Sequence, residues 1–199
     1  MFGGMYDIVI RLPVILLALI IHEYAHAKSA DILGDPTPRQ AGRLTLNPLP
    51  HIDPIGLLML LIIRIGWAKP VPINPYNFKD PRTGSAIVSL AGPMANFFSA
   101  WVVASVIRIL PFQIIGINEY LTAVLVNFIW ISIALGVFNL IPVPPLDGSH
   151  ILELFVSQET INVIRQYGFM ILVFILLFPG TSYILISIIQ AIFRAMLSI

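Results

Sequence analysis

Five long apolar runs and one short one organise the chain. Against the roughly 20 residues a helix needs to cross a bilayer, spans are predicted near Ile8–Ser29, Ser85–Ile109, Tyr120–Ile141, Ile161–Phe178 and Ser182–Leu197. The turn signal Pro179-Gly180 separates the last two. The run Ile55–Ile63 is too short to span and is closed by Arg64, so it suits a re-entrant or interfacial segment. Its flanks, GRLTLNPLPHIDP and WAKPVPINPYNF, hold brief alternating stretches broken by proline. They predict turns and short edge strands, at Arg43–Asn47 and Lys69–Asn74, whose exposed backbone would pair with an extended peptide. The predicted fold is an all-α polytopic membrane protein with about five transmembrane helices and a short re-entrant or β-like segment between the first two.

Against this background IIHEYAHA, residues 20–27, is out of place. Each ionisable group at membrane depth costs a few kcal/mol, so such residues face a protein interior or a wet cavity and mark function. On a helix, positions four apart differ by about 40° of rotation and about 6 Å of rise, so His22 and His26 share a face within reach of one metal ion. Glu23 lies beside that face without being a ligand, placed to hold and deprotonate a water on the metal. Metal coordination also repays the insertion cost, which a chance grouping of three ionisable residues would not.

Composition narrows the chemistry. The chain is 58% hydrophobic and 11% charged, with a mean hydropathy of +0.92, where soluble domains carry roughly 25% charged residues. A net charge of +1 without a basic cluster argues against nucleic acid and against a polybasic lipid anchor. The absence of cysteine leaves histidine and carboxylate as the metal ligands. The 199 residues read as one transmembrane domain, 1–199, with a catalytic core at about 8–160 and a C-terminal helical pair at about 161–199. Asp7 beside Arg11, with no small-residue cleavage pattern, marks the first run as a retained helix and not a signal peptide.

Seven of the eleven basic residues, Lys28 at the end of the first span and Arg39, Arg43, Arg64, Lys69, Lys79 and Arg82 beyond it, precede the second full span. If Ile55–Ile63 does not cross, that region is cytoplasmic and the N-terminus lies outside. The first and third spans then end on the same face.

A catalytic zinc takes three protein ligands and keeps an open position. The candidates beyond the third span are Asp147, His150 and Glu153. In NLIPVPPLDGSH, Pro142, Pro144 and Pro145 cannot all continue a helix, so the backbone unwinds before Asp147, and Gly148 permits a tight turn or close approach. Asp147 is thereby free to point at a metal, and is equally a favoured N-cap for a helix starting near Gly148. His150 is read as an outer or solvent-facing group and His51 as interfacial. Trp67, Trp101 and Trp130 are read as interface anchors or packing residues.

In GPMAN, residues 92–96, Gly92-Pro93 loosens a helix on which Ala91, Ala95 and Ser99 form a small face that lets another helix come close. Asn96 on that helix is suited to donate to a developing oxyanion, or to bond a neighbouring helix.

With HEYAH at 22–26, GPMAN at 92–96 and NLIPVPPLDG at 139–148 in this order, the chain resembles the site-2 protease family of intramembrane zinc metalloproteases, in a minimal form without a PDZ or CBS domain. The resemblance covers about residues 8–160. It implies one zinc ion per chain held by His22, His26 and Asp147, with Glu23 as general base and proton shuttle. Asn96 and Asn139 would lie near the substrate or the oxyanion. The substrate would be a transmembrane helix of another protein in the same bilayer, cut in a multi-pass enzyme of the cell membrane with its site nearer the cytoplasmic face. Two other readings use the same residues: a metal transporter or channel, for which Glu23 is superfluous and a polar path is missing, and a membrane-anchored zincin acting on extramembrane loops, which would draw its third ligand from His150 or Glu153. Composition says nothing of the oligomeric state.

Overall fold

The computed structural model describes residues 5–63, 66–109 and 119–197. Arg64 lies outside them. In chain order the helices are α1 (Met5–Ile32), α2 (Thr37–Gln40), α3 (Pro54–Ile63), α4 (Pro81–Ile109), α5 (Glu119–Asn139), α6 (Gly148–Leu152), α7 (Gln158–Leu177) and α8 (Pro179–Leu197). Four of them, α4, α5, α7 and α8, are long and apolar enough to cross a membrane. The 28 residues of α1 give it the length as well, while His22, Glu23, His26 and Lys28 interrupt its apolar run. The protein is thus an all-α polytopic membrane protein.

The ten residues of α3 rise about 15 Å, half the hydrocarbon thickness, so α3 does not span. The β-like expectation is corrected. No strand occurs among the described residues, and the pairing there is one isolated antiparallel bridge between Ile52 and Ala68. The reason lies in proline: Pro48 and Pro50 curl the first flank into a 3-10 turn at Leu49–His51, and Pro70 and Pro72 remove two donors from one edge of the second.

The core is built by α1, α4 and α5. Ala100 and Ala104 of α4 meet Ile129 and Ile133 of α5, the alanines letting the helices approach closely, and Ile189, Ile192 and Phe193 of α8 cover this layer. Val14 and Ala18 of α1 pack on Phe128 of α5. At the other end of α1, Ala30 packs with Phe78 and Val88. The C-terminal helices are peripheral: α7 docks through Leu172 on Val143 and Leu146, and α8 has no buried residue. Their exposed leucine, isoleucine and phenylalanine side chains suit a lipid solvent.

Beyond α1, Asp35 ties the irregular region together. Its buried carboxylate accepts from the Thr37 amide and hydroxyl, the Asn74 amide and the Asn77 side chain. Burial alone would raise its pKa, and these four bonds outweigh it, holding the carboxyl below the usual range.

Candidate metal centre

Three polar atoms converge where α1, α4 and the segment after α5 meet. The Nε2 atoms of His22 and His26, one turn apart on α1, lie 3.0 Å from each other. Asp147 Oδ2 lies 3.1 Å from the first and 3.3 Å from the second. Both histidines are buried, at 4% and 6% exposure. His26 Nδ1 donates to the Val88 carbonyl of α4 at 2.7 Å, which orients its ring.

The local sequence explains how three distant segments reach one point. On α4, Gly92 faces the imidazoles: a Cβ there would come within 2.6 Å of His26 Cε1 and 2.7 Å of His22 Cε1. Glycine, more than helix loosening, is what this contact demands. After α5 the prolines end the helix as expected, and the chain turns back through the Val143 amide bonded to Ile141 O and the Leu146 amide bonded to Val143 O. A Cβ on Gly148 would stand 2.6 Å from Ile141 O, so only glycine lets this turn fold against the end of α5. Asp147 occupies the N-cap position of α6 but caps nothing with its side chain. Its carboxylate is directed to the histidines instead.

Zinc fits this donor set. A tetrahedral ion with bonds of about 2.0–2.1 Å has its ligand atoms about 3.3 Å apart, and the three atoms here are separated by 3.0, 3.1 and 3.3 Å. Oδ2 is buried without a hydrogen-bond partner, and it faces two imidazole nitrogens, of which that of His26 is an acceptor because its Nδ1 donates to Val88. Only a cation, or a proton, satisfies all three.

The remaining candidates are placed elsewhere. Glu23 Oε2 accepts from the Val71 amide at 3.1 Å and is not among the converging atoms. His150 is half-exposed, its Nδ1 3.4 Å from Glu153 Oε1, which also accepts from Arg165. Asn139 turns back on its own helix, donating to Leu135 O at 3.0 Å. Asn96, one turn after Gly92 on α4, is fully buried with neither amide atom partnered. His51 is buried, with both ring nitrogens within hydrogen-bond distance of a partner.

A family model described as Peptidase family M50 matches residues 103–179, which include Asp147 but not the α1 motif. Over 192 residues the chain is 35% identical to a Bacillus subtilis (strain 168) protein named "Putative zinc metalloprotease YwhC", covering 87% of this chain and 84% of that one. The chain belongs to peptidase family M50. Within it, mycobacterial relatives are more distant and longer: the Mycolicibacterium smegmatis protein named "Putative zinc metalloprotease Rip2" is 33% identical over 84% of this chain and 66% of its own length. The Rip2 protein of Mycobacterium tuberculosis (strain H37Rv) is 30% identical over 82% and 65%. No solved structure matches the chain.

Proposed function

We propose that this M50 peptidase is an intramembrane zinc endopeptidase that hydrolyses a peptide bond within or near a transmembrane helix of another protein. The convergence of His22 Nε2, His26 Nε2 and Asp147 Oδ2 inside a bundle of apolar helices carries this reading. Together these residues would hold the ion, leaving a fourth position for water or substrate. Zinc, when bound, supplies a Lewis acid that brings the pKa of a water down to about 7. Glu23, next to His22 and off the ligand face, takes the proton from the attacking water and returns it to the leaving amine. Asn96 is the better oxyanion donor of the two asparagines, because its amide has no other partner while that of Asn139 is spent on Leu135.

With α1 as the fifth crossing and α3 not crossing, the basic segment between α1 and α4 lies on the cytoplasmic face of the cell membrane, and the site lies near it. A substrate helix has to unwind to present a carbonyl to these groups. An open apolar recess of about 490 Å³ between α1 and α4, lined in part by Ile21, Tyr24, Ala25, Ile87 and Ala95, supports approach from the lipid side.

The test is the Glu23→Gln variant beside the wild type, both zinc-loaded and reconstituted with a single-span reporter that the wild type cleaves. Turnover is expected to vanish with zinc content unchanged. Undiminished turnover would end the proposed chemistry.

A further inference from the structure

Resting on the assignment of Glu23 as the base, we infer that Arg43 and His51 are positioning residues, which act through the Lys69–Val71 backbone to fix the Glu23 carboxylate.

Arg43 is an unusual residue to bury. It is 4% exposed, has no carboxylate within ion-pair distance among the described residues, and leaves Nε unpartnered. A buried charge without compensation is costly and marks a group kept for something other than stability. Its NH2 group donates to the Lys69 carbonyl and lies 3.4 Å from His51 Nδ1. His51 Nε2 donates to the Thr45 carbonyl at 2.9 Å, which leaves Nδ1 as the acceptor that faces the guanidinium. The His51 carbonyl in turn accepts from the Lys69 amide at 2.9 Å. Lys69 is thus gripped at both its amide and its carbonyl, and the bridge between Ile52 and Ala68 secures the residue before it.

Sequence then decides what the gripped segment presents. In Lys69-Pro70-Val71-Pro72 the prolines have no N–H. The Lys69 amide is taken by His51, and the Val71 amide is therefore the donor available over this stretch. It bonds Glu23 Oε2 at 3.1 Å. One oxygen of the carboxylate is anchored by this bond, leaving Oε1 for proton transfer.

The experiment compares wild type, Arg43→Gln, Val71→Pro and Val71→Ala as zinc-loaded protein with the single-span reporter. Val71→Pro deletes one N–H within a segment already extended by its flanking prolines, and Val71→Ala trims the side chain while keeping that donor. Loss of a hydrogen bond to a charged group, with the misplacement it allows, is expected to lower kcat roughly 10- to 100-fold in Arg43→Gln and Val71→Pro. KM and zinc content should stay at wild-type values, and Val71→Ala, which trims a buried side chain but keeps the donor, should lose less kcat than Val71→Pro. Combining Arg43→Gln with Val71→Pro should cost little more than either alone, because both cut the same linkage. A merely structural role would lower thermal stability and zinc content, and would affect Val71→Ala as much as Val71→Pro. Wild-type kcat in Val71→Pro, with Glu23→Gln inactive, would overturn this inference while leaving Glu23 as the base. Activity in Glu23→Gln would instead remove the reading on which it rests.

Discussion

The Nδ1 atom of His26 lies 2.7 Å from the carbonyl oxygen of Val88, and this bond settles the chemistry of the ring's other nitrogen. A carbonyl only accepts, so Nδ1 carries the proton and Nε2 keeps its lone pair. That lone pair points at His22 Nε2 and Asp147 Oδ2, two further electron-rich atoms. Helix α4 thus orients a candidate ligand that sits on α1, and the α1–α4 contact shapes the candidate site as much as the fold.

Gly92 makes that contact possible, and Gly92→Ala should disturb both histidines at once. Overpacking a tight contact costs about 1–3 kcal/mol, so the melting temperature should fall and zinc affinity weaken roughly tenfold or more. Competition with a chelator, with thermal unfolding alongside, reads both. Wild-type affinity and melting would mean that the helices stand farther apart than 2.6 Å contacts allow.

Asn96→Ala removes an amide that nothing else in the fold uses. Losing an oxyanion donor lowers kcat about 10²- to 10³-fold, here with zinc content and KM near wild type. If Asn96 only packs between helices, kcat will hold and the melting temperature will move.

Asp35 sets a pH dependence far from the metal. Its carboxyl is held below its unfolded-state value, so its contribution to stability is complete above about pH 4 and is lost as pH falls through the folded-state value. Asp35→Asn should cost about 1–3 kcal/mol at neutral pH, since four donors converge on the carboxylate. The loss of stability as pH falls below about 4 should also become shallower than in the wild type. An equal slope in both proteins would show that Asp35 does not carry this dependence.

The i, i+4 pair His22 and His26 was legible because helical spacing is local and the apolar surroundings made three polar residues conspicuous. Asp147 was legible through its prolines, which force the backbone to unwind wherever the neighbours lie, and the length of Ile55–Ile63 foretold that it would not cross. The alternation in Lys69–Asn74 resembles a strand, yet Pro70 and Pro72 strip one edge of donors, and no strand forms there. Burial of Arg43 and His51 and the fit of Gly92 against the imidazoles arise from contacts between segments far apart in the chain. No local pattern encodes such contacts.

Zinc content of purified wild type and Asp147→Ala, measured per chain by elemental analysis after removal of loosely held metal, bears most directly on the three-ligand site. About one zinc per wild-type chain and a large loss in Asp147→Ala, with the variant still folded, is the expected result. Full zinc content in folded Asp147→Ala would contradict it.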